Sequence, residues 1–265
     1  MSATTVDKRA AAREPSAARC AAALRFSLEG DLRSLSHHEE LRMLKRALSR
    51  AGWPLRYSQG FNPQPRLVLP LPRRVGVASA CEWAIVELLG APAPEELYNK
   101  LDVALPARCS LGSVACLPSN TMPHPLHVTY SAPLAPAHAA AAGERLSAAL
   151  NSCTIVVERT HGPAKPTAPI DIRPYIETLI LDGSVIVMRL AFHDQRTARP
   201  IEVLQALGLP AAEYEHLVRQ VEVEWDIALD VPLRWPPGAE RTHVGKEEDS
   251  GDCEKDRNAK EESRD

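Results

Sequence analysis

The sequence predicts an α+β protein built from two ferredoxin-like halves, each running β-α-β-β-α-β, with a disordered tail at either end. Three observations predict this. Strand-like and helix-like segments follow one another twice in that order. The body divides by charge, since residues 23–125 carry twelve Lys and Arg against nine Asp and Glu, whereas 126–239 carry nine against thirteen. The last stretch, Glu240 to Asp265, holds ten acids and six bases with Val244 as its largest aliphatic residue, too little to bury a core.

In the first half "ALRFSLEG" reads as a strand and "HHEELRMLKRALSRAG" as a helix. Ser36 and Glu39 have capping-box spacing before that helix, and Gly52 suits its end. Leu41, Leu44, Leu48 and Ala51 recur at helical spacing and predict its buried stripe. "RLVLPLP" and "EWAIVELLG" read as strands, "APEELYNKLDVAL" as a helix and "SLGSVACLP" as the closing strand. Pro70 and Pro72 lie two apart, so both missing N–H groups fall on one side and predict an edge strand. In the second half "HVTYSAPL" is a strand and "PAHAAAAGERLSAALNS" a helix. "CTIVVERT" and "VIVMRLAF" supply the middle strands, "RPIEVLQALG" a helix and "RQVEVEWDIAL" the last strand, with "YIETLIL" as an extra one.

The turn formers of "LPSNTMPHPLHV" separate the halves. The expected organisation is a disordered segment 1–22, a first half 23–122, a second half 123–235 and a charged tail 236–265. Hydrophobic residues make up 45% of the 265, enough for a packed core, and no apolar run is long enough to span a membrane. The first twenty residues have no bulky apolar stretch of the secretory kind, so a cytoplasmic protein is expected. The six cysteines fit no zinc or iron–sulfur spacing and are expected to be reduced thiols, so no metal site is predicted.

Between Leu41 and Cys81 stand eight cations, Arg42, Lys45, Arg46, Arg50, Arg56, Arg66, Arg73 and Arg74, and no acid. A solvated face ordinarily mixes signs, so this window is either a polyanion-binding surface or is neutralised by acids from elsewhere in the fold. Within it, "YSQGFNPQPRLVLPLPRRVGV" holds four prolines and two glycines. Gly60 permits a tight turn, while Pro63 and Pro65 hold Asn62 and Gln64 extended. Tyr57 and Phe61 have the chemistry to stack on bases, and Gln59, Asn62 and Gln64 to meet their polar edges. The alternative is that both aromatics belong to the core. Asp171 and Arg173 in "DIRPYI", and Arg199 ahead of a helix, are second-half candidates for a ligand, against a purely structural role.

The segment "SHHEELRMLKRALSRAGWPLRYSQGFNPQPRLVLPLPRRVGV" resembles the radical-SAM-linked domain family, and "DIRPYI" and "RPIEVLQAL" resemble its later blocks. The resemblance runs over roughly residues 24–230 and implies a bacterial-type protein acting beside a separate radical-SAM protein, often near an RNase E/G-type ribonuclease. The chain has Gln64 where that family usually has His, and Arg66 where it has Lys. An amide cannot titrate, so any acid–base role of that His is absent here. His37 keeps the family position, at a helix start that disfavours its cation.

Phosphate loops, nucleophile elbows, paired-His zinc motifs and the Cys-x3-Cys-x2-Cys run of a radical-SAM cluster are all absent from the sequence. The expected function is therefore a non-catalytic accessory protein, without a cofactor of its own, that binds RNA or presents a substrate to a radical-SAM enzyme. The alternatives are a metal-independent RNA-processing or RNA-modifying enzyme with His37 as acid or base, and a protein-docking scaffold.

Overall fold

The computed structural model describes residues 19–160 and 167–227; the tails and the segment 161–166 lie outside the described residues. The first strand, β1, runs Arg19–Leu28, and helix α1 spans His37–Arg50. They are followed by β2 (Leu67–Val68), β3 (Ala78–Leu89), α2 (Pro94–Asp102) and β4 (Cys109–Pro118). Then come β5 (Pro125–Pro133), α3 (Pro136–Asn151), β6 (Val156–Thr160), β7 (Thr167–Asp171), β8 (Ile176–Asp182) and β9 (Val185–Ala191). Helices α4 (Pro200–Ala206) and α5 (Ala211–Tyr214) lead to β10, Arg219–Trp225.

The protein is α+β, with one large mixed sheet in the order β4-β1-β3-β10-β5-β9-β8 and β2 also paired to β3. Neighbours are antiparallel except β3 and β10, which run parallel at Ala78–Arg219 and Ser79–Gln220. That short parallel pairing joins strands from the two halves of the sequence into a single sheet. No helix among the described residues is long and apolar enough to cross a membrane.

Strand alternation divides the core. Ala22, Leu24, Phe26 and Leu28 of β1, with Ala84, Val86 and Leu88 of β3, pack under α1 and α2. Ala21, Ala23, Cys81, Trp83 and Ile85 point the other way, into a cluster shared with β5, β9, α3 and α4. Both faces of β1 and β3 are thus covered, and Trp83 meets Trp225 across the junction with ring centroids 5.0 Å apart.

Four expectations are corrected. Arg19–Ala22, expected in a disordered segment, begin β1, where Ala21 and Ala22 are buried in the apolar clusters on opposite faces of the sheet. The strand expected over "RLVLPLP" is reduced to Leu67–Val68, because the prolines beyond it supply no N–H to the ladder. "YIETLIL" is no extra strand: as β8 it pairs with β9 in the main sheet, while "VVERT" forms a separate two-stranded sheet with β7. The buried side of α1 holds Glu40, Met43, Leu44, Ala47 and Leu48, with Leu41 only half-buried. The helix is turned toward a buried partner of Glu40, which hydrophobic spacing does not reveal.

Candidate nucleic-acid interface

Helix α1 starts on the expected cap. Ser36 Oγ accepts from the Glu39 backbone N–H at 3.4 Å, and the Glu39 carboxylate accepts from the Ser36 backbone N–H at 2.9 Å. The Ser36 hydroxyl also donates to that carboxylate at 2.7 Å, and this bond, then the one from the Ser36 backbone, holds the Glu39 carboxyl below its ordinary range, with the Arg42 charge adding to them. The helix presents Arg42, Arg46 and Arg50 to solvent, with Lys45 half-buried beside them.

After α1 the chain forms a hairpin against the outer end of β3. Leu55 bridges Leu88, and the Arg56 and Leu89 N–H groups donate to Glu87 O and Pro54 O at 2.9 Å each. Tyr57 bridges Pro65, the Ser58 N–H donates to Gln64 O at 2.8 Å, and Ser58 Oγ accepts from the Gln64 N–H at 3.0 Å. The tip, Gln59–Asn62, turns at Gly60, whose φ of +140° is open to glycine at little cost. Phe61 stands at that tip fully exposed, at 109% of its reference area, and Tyr57 is 45% exposed. The aromatics therefore face solvent and are not core residues. Gln59, Asn62 and Gln64 are exposed as well. Lys45 Nζ donates to Gln64 Oε1 at 3.4 Å, bringing the cationic helix face and the hairpin into one surface.

The eight cations separate into two groups. Acids remote in sequence pair with four of them. Glu87 takes Arg56, and Arg66 at 3.4 Å; Glu215 takes Arg74 at 3.4 Å; Glu40 takes Arg73 at 3.3 Å. Arg73 is not on the interface at all. It is buried, donating to Arg33 O and Val77 O at 2.7 Å and to Arg74 O at 3.1 Å, so no phosphate can reach it. Arg50 donates to Ala104 O at 2.6 Å, while Arg42 and Arg46 make no hydrogen bond or ion pair within 4 Å among the described residues. The four cations of α1 have no acid within 4 Å among the described residues, and with Arg50 held by Ala104 O it is Arg42, Lys45 and Arg46 that remain open to a phosphate.

His37 opens α1 with its ring 5.9 Å from that of His38. Burial, then the neighbouring His38 charge, lowers its pKa, and its Nδ1 is buried with no partner among the described residues. The shift favours the neutral imidazole. Of the second-half candidates, Asp171 Oδ1 accepts from the Ile155 and Arg173 backbone N–H groups at 2.8 and 3.0 Å. Arg173 donates to Leu150 O, Ser152 O and Ile176 O at 2.9–3.1 Å, closing the carbonyl end of α3. Both are structural and lie on elements apart from α1. Arg199 caps α4, its N–H donating to Glu202 Oε2 at 2.8 Å.

Sequence reading missed the buried polar group under α1. Glu40 and Glu82 flank the Arg73 guanidinium, and Gln220 of β10 donates to Glu82 Oε1 at 3.2 Å and to Ser79 Oγ at 3.3 Å. Burial, reinforced by the Glu40 charge, pushes the Glu82 carboxyl up to about 8, and burial raises Glu40 too against the pull of Arg73. Burial likewise pushes the Cys81 and Cys109 thiols up to about 12, so neither is a thiolate nucleophile near neutrality. The signal in the sequence was an acid, Glu82, at the head of the apolar stretch "EWAIV". Among the described residues no group of three or more His, Cys, Asp or Glu is placed to hold a metal ion.

A family model described as "Uncharacterized protein conserved in bacteria (DUF2344)" matches residues 22–200, about two thirds of the chain. The chain belongs to the DUF2344 family. The match takes in α1, the 55–67 hairpin and the whole Glu40–Arg73–Glu82 group, and ends at the first residue of α4. The DUF2344 match thus leaves Gln220 and β10, which complete that group from the other half, outside it. No curated protein matches the chain.

Proposed function

We propose that this DUF2344 protein is a non-catalytic accessory that binds single-stranded RNA on α1 and the 55–67 hairpin and presents it to a separate radical-SAM enzyme. The observation that carries the reading is Phe61, fully exposed at a turn fastened to the cationic helix through Lys45 and Gln64. An exposed aromatic beside unpaired cations is the pairing that single strands require, a π-face for a base and charge for the backbone. Arg42, Lys45 and Arg46 meet phosphates, Phe61 and Tyr57 stack, and Gln59 and Asn62 reach base edges.

The partner rests on the family resemblance of residues 24–230, and the cluster chemistry belongs to that partner, since this chain has no Cys-x3-Cys-x2-Cys run. The same reading places the protein in the cytoplasm. It also treats the molecule as two ferredoxin-like units joined edge to edge, supported by the repeated pairing orders β4-β1-β3-β2 and β10-β5-β9-β8. A second reading, a metal-independent RNA-processing or RNA-modifying enzyme with His37 as acid or base, is favoured by the lowered pKa of the ring.

Titration of a fluorescent single-stranded RNA at several salt concentrations tests the main reading. Three phosphate contacts, at about 0.7 each, give a slope of log K against log salt near −2. Binding that ignores salt removes the RNA reading and leaves the docking scaffold.

A further inference from the structure

We propose a second, separate site: a phosphate-binding cleft between the two halves, lined by Arg33 and Arg74 on one side and by Arg199 on the other, with Arg159 behind. Arg33 lies in the last turn of the 3-10 segment Gly30–Ser34 and donates from Nη1 to His216 O at 2.9 Å. Arg74 follows β2 and reaches Glu215, the next residue along, at 3.4 Å. His216 and Glu215 lie in the turn Glu215–Leu217 immediately after α5, which packs on α4. Arg199 caps α4, whose packing on α5 links it to the Glu215–Leu217 turn that Arg33 and Arg74 reach, so the site is assembled from loops of the first half and the helical corner of the second.

The acids present do not satisfy them. Glu202 is taken by Arg159, which donates from Nε at 2.7 Å and from Nη2 at 2.6 Å, and it also accepts from the Arg199 backbone. The Arg199 side chain keeps only a 3.7 Å approach to Glu202 and one hydrogen bond to Thr160 O at 3.2 Å. Arg74 has one acid, and Arg33 has one carbonyl. Each guanidinium carries five N–H donors, so most of those on Arg33, Arg74 and Arg199 are uncommitted among the described residues. The Arg74 and Arg199 side chains are each 35% exposed, open enough for a small anion to enter. Burial, with the Arg74 and Arg159 charges behind it, lowers the pKa of Arg199 against the pull of Glu202. Thr197, whose carbonyl accepts from Arg159, has a buried Oγ1 with no partner among the described residues.

Four guanidinium groups around two carboxylates match a tetrahedral oxyanion with several acceptor oxygens, which is a phosphate group. The cleft is independent of the RNA surface. It adjoins the Ala78–Ser79 end of β3, whereas the hairpin lies on Val86–Leu88, seven or more residues away or about 23 Å of strand. The phosphate comes either from a free phosphorylated small molecule or from an end of the bound RNA.

The test uses the full chain with inorganic phosphate as probe, against chloride at equal ionic strength, read by thermal unfolding and titration calorimetry. Phosphate should raise the melting temperature where chloride does not, and Arg199→Gln or Arg74→Gln should weaken it at least about tenfold, the loss expected for a charge-assisted hydrogen bond. Equal effects of phosphate and chloride, or undiminished binding in both variants, would overturn the proposal. Should Arg199→Gln fail to fold, Arg74→Gln decides, since its side chain holds only one exposed acid. RNA oligonucleotides with a 5′-phosphate or a 5′-hydroxyl then distinguish the sources. A preference for the phosphorylated end, lost in Arg199→Gln, identifies the RNA terminus. Inorganic phosphate binding without an end preference identifies a small molecule. Loss of RNA binding through α1 leaves the phosphate result unchanged, so the two readings fail separately.

Discussion

Replacing Glu82 by Gln should change how the stability of this protein depends on pH, more than it changes stability itself. The carboxyl is buried between Arg73 and Gln220, and burial with the Glu40 charge raises it to about 8 from an ordinary 4.5. Below pH 4.5 both folded and unfolded chains hold the proton, and the group contributes no pH dependence. Between 4.5 and 8 the unfolded chain has lost the proton and the folded one keeps it, so stability falls as pH rises. Above 8 both are ionised and the loss is complete. The gap of 3.5 at about 1.4 kcal/mol per pH unit sets a ceiling of about 5 kcal/mol, which relaxation around a buried charge reduces. For a body of this size that ceiling is about 10–20 °C in Tm. Gln matches the shape of the protonated acid and still accepts from Gln220, so the variant should resemble wild type at pH 5 and exceed it at pH 9. Neighbouring Cys81 and Cys109, pushed to about 12, stay out of that window, which leaves Glu40 as the other titrating group of this buried cluster. Glu40→Gln removes the charge that helps raise Glu82 and should move the transition to lower pH. The assay is thermal unfolding of the three proteins from pH 5 to 9. Superimposable profiles for wild type and Glu82→Gln would refute the burial of an uncharged Glu82.

Phe61→Ala should leave stability within about 0.5 kcal/mol of wild type, since the ring is fully exposed, yet weaken RNA binding by about 1–3 kcal/mol, read by unfolding and titration together. A clear loss of stability would return Phe61 to the scaffold. Replacing Arg42 and Arg46 together with Gln should weaken all RNA sequences alike and flatten the salt slope by roughly 1.4, from two lost phosphates. His37→Ala should leave RNA binding unchanged; a loss of about 10²–10⁴ in a measured RNA-processing rate would favour the enzymatic alternative. Arg173→Ala should destabilise the fold without touching RNA affinity, because its donors close the end of α3.

The elements that could be read from the sequence are those whose causes are local. The Ser36–Glu39 cap and the Gly60 turn each depend on residues a few positions apart, and the structure has both. The acid-free window was legible for the same reason, but its meaning was not. Glu40 and Glu87 lie 33 and 31 residues from Arg73 and Arg56, and Glu215 lies 141 from Arg74, so only folding shows that half the cations are paired and that Arg73 is buried. Pairing partners likewise settled that "YIETLIL" joins the main sheet and "VVERT" does not, because both alternate equally well. Whether Phe61 was core or surface was open by composition alone, as an aromatic serves either role; the hairpin geometry decided it. Local sequence determines backbone conformation through sterics and short hydrogen bonds. Charge compensation, strand neighbours and exposure depend on contacts between residues far apart along the chain, and those exist only in the tertiary structure.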